Sequence, residues 1–280
     1  MSNNLILNSS NVTNQPNVFQ YNFLNGAFVI PIGSEMCISG ITIPYSWYNI
    51  QQQFYNNTIF QYTWTEAAIT TTYTVQLPNG YYSVNTLNDY IQGELINQGL
   101  YLVDANGDNV YYISLVYNVS TYSVQLLSFA VPAVLPAGYT NPAGLVLPTV
   151  ASTPQLIILP TNNFGTIIGF TAGTYPPAIQ PTNYSVLSNT LPNGSPVNSI
   201  IVRCNLVSNN VVSPSDILDS FPINGTFGSN LNITPNFEKW IKIKAGRYSS
   251  FTITFQDQNF NSIPILDINL LITLLLKTKE

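Results

Sequence analysis

Apolar residues with a two-residue period dominate this chain, and a single stretch carries a helical period. Phe19, Tyr21 and Phe23 alternate with Gln20 and Asn22, the pattern of a half-buried strand. Residues 58–65 (TIFQYTWT) alternate again. Residues 70–77 are rich in Thr, Tyr and Val and stop at Pro78-Asn79-Gly80, a turn sequence. Residues 35–48 read as β with Pro44 inside, which predicts an edge strand or a bend. The exception is a predicted helix. Ser83 suits an N-cap, Val84, Leu87, Ile91 and Leu95 recur at helical spacing, and Gly99 suits the end. Asn106-Gly107, between the β-rich residues 100–103 and 110–116, predicts a hairpin, and residues 123–129 a further strand. Residues 130–196 are punctuated by Pro and Gly, with short strands expected at 155–159 and 165–170. Regular strands are expected again at 199–208, 240–244, 249–256 and 267–278. Ser213-Pro214-Ser215-Asp216 has the form of a short helix start, with Asp216 near the positive end of the dipole. Many strands, frequent turns and little helix give an all-β sandwich or closed barrel.

Charge narrows the function. The seven cations, Arg203, Lys239, Lys242, Lys244, Arg247, Lys277 and Lys279, all lie in the last third, and histidine is absent. Residues 1–202 carry six anions (Glu35, Glu66, Asp89, Glu94, Asp104 and Asp108) and no cation. Charged residues make up 7% of the chain, against roughly a quarter in ordinary soluble proteins. A net charge of −5 argues against specific nucleic-acid binding, and the lack of histidine removes imidazole chemistry. A surface of Asn, Gln, Ser, Thr, Tyr and aliphatics suits neutral contact with other protein, and its weak colloidal repulsion favours an oligomer. The opening MSNNLILNSSN lacks the basic and apolar regions of a signal peptide, so no secretion signal is expected. The most apolar run, residues 268–276, is too short for a membrane span of about 20 residues. Cys37 and Cys204 sit in apolar runs and read as buried free thiols, with one long-range disulfide as the alternative.

Each candidate for chemistry has a plainer explanation beside it. Asp104-x-Asn106-x-Asp108 matches the start of a calcium loop, but Asn109 stands where Gly is required and Leu115 where Glu is required. A β-turn accounts for the same residues. Asp216 with Asp219, or Asp257 with Asp267, could form a glycosidase pair, yet neither sits in a recognisable motif. No nucleophile motif or phosphate loop is present. Catalytic, cofactor-binding and metal-binding residues are therefore all expected to be none. Lys239, Lys242, Lys244 and Arg247 cluster around Trp240 and Tyr248; they suit a patch facing an acidic partner or a genome or, more simply, an outward strand face whose lysines discourage stray pairing.

A family resemblance comes from strings spread along the chain: residues 199–207 (SIIVRCNLV), residues 214–222 (PSDILDSFP), Phe227-Gly228, Trp240, residues 251–259 (FTITFQDQN) and residues 267–275. Residues 41–48, Asn79-Gly-Tyr-Tyr82 leading to Leu87-Asn88, and Gly169-Phe170 before Tyr175-Pro176 add to it. Together these resemble the penton, or minor capsid, proteins of virophages and of Polinton-like and adintovirus relatives. The resemblance implies a single jelly-roll β-sandwich with an inserted, loop-rich β region containing one short helix. The expected division is a flexible or strand-exchanging arm at 1–16, a jelly roll at 17–65 and 197–280, and an insertion at 66–196. It further implies a non-enzymatic homopentamer at icosahedral vertices of a virion, contacting major capsid protein trimers and assembled in the host cytoplasm. A lectin-like attachment role, reading host surface glycans with Tyr and Trp of the insertion, is the alternative. A glycan-cleaving enzyme is the third and weakest reading.

Overall fold

The computed structural model describes residues 2–278. The chain divides into two compact units, one of Met1–Trp47 with Val197–Glu280 and one of Tyr48–Pro196.

The first unit is a jelly roll, and its strand order establishes this. Among the described residues its main strands, in chain order, are Ser2–Asn8, Val18–Asn22, Glu35–Pro44, Ser199–Cys204, Ile217–Pro222, Asn230–Ile233, Ser250–Gln256 and Leu271–Lys277. One sheet runs first, eighth, third, sixth; the other runs fifth, fourth, seventh, second. Every neighbouring pair is antiparallel. Two four-stranded sheets that exchange strands in this order make the jelly-roll sandwich. Short Ile241–Lys242 joins the first sheet beside Glu35 and Met36. Alternation builds the core: Phe251, Ile253 and Phe255 are buried from one sheet, and Ile272, Leu274 and Leu276 from the other. Each such side chain contributes about 1.5–3 kcal/mol by leaving water.

The expected N-terminal arm is different in the structure. Ser2–Asn8 is a full strand, registered from Ser2 opposite Lys277 to Asn8 opposite Leu271. Leu5 and Leu7 enter the core, and Asn4, Ile6 and Asn8, which alternate with them, are exposed. Pro44 also differs from expectation. Glu35–Pro44 is central in its sheet, but its neighbour Leu271–Lys277 begins pairing only at Thr42, so the missing N–H of Pro44 falls where one side of the ladder has already ended. Ser213–Asp216 starts no helix. The Asp216 carboxylate is engaged by Arg203 across the sheet, and Ile217–Pro222 continues as a strand paired to Ser199–Cys204.

The second unit begins at Tyr48, not at Glu66, so residues 58–65 belong to it. Its larger sheet runs Gly173–Tyr175, Gln155–Ile158, Ile59–Glu66, Ile69–Gln76, with a three-stranded sheet of Tyr184–Leu187, Ser123–Ser128 and Ile113–Asn118. The helix Val84–Gln98 has the predicted cap: the Ser83 hydroxyl accepts from the Thr86 N–H, and Gly99 ends it at φ +71°. Leu87, Ile91 and Leu95 point into a core with Phe60, Trp64 and Phe164. The Asn106-Gly107 hairpin is present as a short ladder of Leu102–Val103 with Asn109–Val110. Residues 165–170 are not a strand. Phe164–Ile168 forms a helical turn whose first N–H donates to the Asn162 side chain and which Gly169 closes.

Candidate functional site

The acidic candidates are committed to structure. Asp216 receives a two-pronged contact from Arg203, Nε to Oδ1 at 2.9 Å and Nη2 to Oδ2 at 2.8 Å, and Arg203 also donates to Gln256. Asp219 pairs with Lys239 at 2.9 Å. Asp257 accepts from the backbone of Asn259 and Asn261 and from the Asn261 side chain. Asp267 accepts from the Asn269 N–H. In the hairpin, Oδ1 of Asp104 accepts from the backbone of Asn106 and Asp108, the bonding of a turn rather than an ion cage. Among the described residues no group of three or more His, Cys, Asp or Glu could hold a metal. Cys37 and Cys204 are both buried and free.

The basic cluster separates along the jelly roll. Lys242 lies on the short edge strand opposite Glu35, Lys244 donates to the Asn205 carbonyl, and Arg247 pairs in register with Val29 in a two-stranded ribbon. Lys239 lies 5.9 Å from the Phe237 ring centroid and Lys277 5.4 Å from that of Trp240, within cation–π range.

One concavity in the Tyr48–Pro196 unit brings together residues that the sequence scatters. Three segments line it: Tyr81 to Asn85 leading into the helix, the hairpin ends Tyr117 and Tyr122, and Pro192 with Gly194 and Ser195; Ile167 completes the floor. Its volume is about 380 Å³. No charged residue lines it. Tyr117 and Tyr122 meet edge to face, centroids 6.2 Å apart at 77°, and Tyr122 is 59% exposed. Tyr82 is fixed by its hydroxyl, which donates to the Pro78 carbonyl at 3.0 Å, and by an edge contact with Tyr90. Tyr122 holds φ +48°, a left-handed conformation that a bulky residue adopts only where the surroundings enforce it. None of these tyrosines stands out in sequence, because each sits in what reads as an ordinary turn. The only local signal is an aromatic directly after turn residues, in Asn79-Gly-Tyr-Tyr82 and in Asn118-Val-Ser-Thr-Tyr122.

No protein-family model and no curated protein matches the chain. Solved structures do. The chain is similar over its whole length to the crystal structure of the mavirus penton protein, at 10% identity and a TM-score of 0.41, covering 98% of that chain. It is also similar to a chain in the cryo-microscopy structure of the Sputnik virophage, at 14% identity and a TM-score of 0.41, covering 97% of that chain.

Proposed function

We propose that the chain is a structural protein of a virion: a homopentameric vertex protein that contacts the surrounding major capsid protein and carries out no catalysis. The observation that carries this reading is the jelly roll, first–eighth–third–sixth against fifth–fourth–seventh–second, combined with an outer strand, Ser2–Asn8, that bears no charged side chain. Jelly rolls serve chiefly as capsid, lectin and cupin domains. Without a histidine the chain lacks the usual cupin metal ligand. The outer strand Ser2–Asn8 is neutral throughout, and Leu24 and Ile32 stand 84% and 88% exposed in the neighbouring connections. Such surface is poorly matched to life as a monomer. The penton resemblance of residues 199–275 supports the same reading.

In a five-fold ring each contact is heterologous, one face against a different face of the next copy, and the ring closes. About 800 Å² per partner makes a standard interface. Because little charge is available, assembly depends on apolar and hydrogen-bonding contact and should be insensitive to salt. Native mass spectrometry of the full chain at 0.1 and 0.5 M salt is expected to give five copies at both. A monomer at micromolar concentration would sink the vertex reading. A second reading, a lectin-like attachment role for the Tyr48–Pro196 unit, is favoured by the tyrosine cleft and is compatible with the first.

A further inference from the structure

The attachment reading leaves open what the cleft would bind, and its chemistry is specific enough to narrow the answer. Its volume, about 380 Å³, lies at the small end of the roughly 300–1,000 Å³ typical of small-ligand sites. A protein partner would instead need a broad patch of the order of 800 Å². The lining is amphipathic throughout. Tyr117 and Tyr122 present ring surface, Val84, Ile167 and Pro192 add aliphatic surface, and Ser83 and Asn85 add polar atoms. The side chain of exposed Asn85 and the hydroxyls of Tyr117 and Tyr122 make no hydrogen bond within the described residues, so donors and acceptors remain available beside the ring faces. A pyranose ring offers the complementary surface: an apolar face of C–H groups rimmed by hydroxyls.

The charge pattern of the chain supplies the second constraint. The Tyr48–Pro196 unit holds Glu66, Asp89, Glu94, Asp104 and Asp108 and not one cation. Nothing in it can neutralise a sulfate, a phosphate or a sialic acid carboxylate, and its own field opposes them. We propose that the tyrosine cleft binds a neutral saccharide, stacked on Tyr117 and Tyr122, and discriminates against acidic sugars. This rests on the attachment reading and extends it to a ligand class and a location.

The strained backbone of Tyr122 provides a clean test. Glycine adopts φ +48° without penalty, so Tyr122→Gly removes the ring while leaving the thermal stability of the protein equal or higher. The full-length chain is applied to an array of mannose-, galactose-, fucose- and N-acetylglucosamine-terminated neutral glycans beside sialylated and sulfated ones, and the strongest neutral hit is titrated. The expected result is binding confined to neutral glycans. Tyr122→Gly and Tyr117→Ala should each weaken it about tenfold, Tyr122→Phe, which keeps the ring and loses only the hydroxyl, should weaken it less, and Tyr101→Ala, outside the cleft, should retain it. Binding of acidic glycans alone overturns the neutral-saccharide inference and leaves the attachment reading standing. Binding of no glycan overturns both. A neutral glycan bound equally well by a folded Tyr122→Gly and a folded Tyr117→Ala places the site elsewhere and overturns the proposal for this cleft.

Discussion

Cys37 and Cys204 illustrate how the core sets the chemistry of a single residue. Burial pushes the Cys37 thiol up to about 11, with the negative charge of Glu238 adding to it and a backbone hydrogen bond at Leu275 opposing. Burial likewise raises Cys204 to about 12. Nucleophilic attack needs the thiolate, so neither should react with a disulfide reagent at pH 8 while the chain is folded. Both should react at once in guanidinium; rapid labelling of the native protein would refute this. The same shifts make stability depend on alkaline pH. Below about 9, the unperturbed value, folded and unfolded chains both keep the proton and the contribution is intact. Between about 9 and 11 for Cys37, and on to about 12 for Cys204, the unfolded chain alone has lost it, so stability falls across that window. Urea midpoints that stay flat from pH 8 to 11 would contradict the assignment.

At the scale of elements, two glycines that both end helices separate intrinsic from tertiary constraint. Gly99 closes Val84–Gln98 at φ +71° with space around it, so Gly99→Ala should cost about 1 kcal/mol from the left-handed backbone alone. Gly169, at φ +76°, has the Thr190 backbone oxygen where a Cβ would stand; Gly169→Ala should cost more than about 2 kcal/mol. Urea unfolding of the two variants measures the difference, and equal costs would remove the packing argument. This pair also marks how much was legible in the sequence. The 84–98 helix was, because Ser83, the Leu87–Ile91–Leu95 stripe and Gly99 are local signals. So were Val18–Asn22 and Ser250–Gln256, whose two-residue period needs no partner to be read. The turn at Phe164–Ile168 was not, because its cap comes from Asn162 and its packing from a tertiary core. Residues 58–65 carry no local signal of the unit they join, because an alternating strand looks alike in either one. Asp216 reads locally as a helix-starting acid because its partner, Arg203, lies on a neighbouring strand earlier in the chain. The tyrosine cleft was invisible for the same reason: its walls meet only after three distant turns are folded together.

At the scale of the whole molecule, the chain divides at Trp47/Tyr48 and Pro196/Val197 into two compact units, the second a continuous stretch of chain. Its core is drawn from its own residues, Ile50 to Phe170, including Trp64 and the buried face of its helix. Produced alone, residues 48–196 should unfold in one cooperative thermal step with a helical component in far-ultraviolet circular dichroism; a broad, featureless melt would count against it. The jelly roll has no such independence. Its first strand pairs with its last, and its third and fourth are separated by the entire second unit. On the ribosome, three strands emerge early and must wait, their apolar faces uncovered, while the intervening unit is synthesised and collapses. The sandwich can shut only once Leu271–Lys277 has been translated. The maturation of this protein is thereby tied to the synthesis of the Leu271–Lys277 strand, and any chaperone that attends it has most to do in the interval before that strand appears.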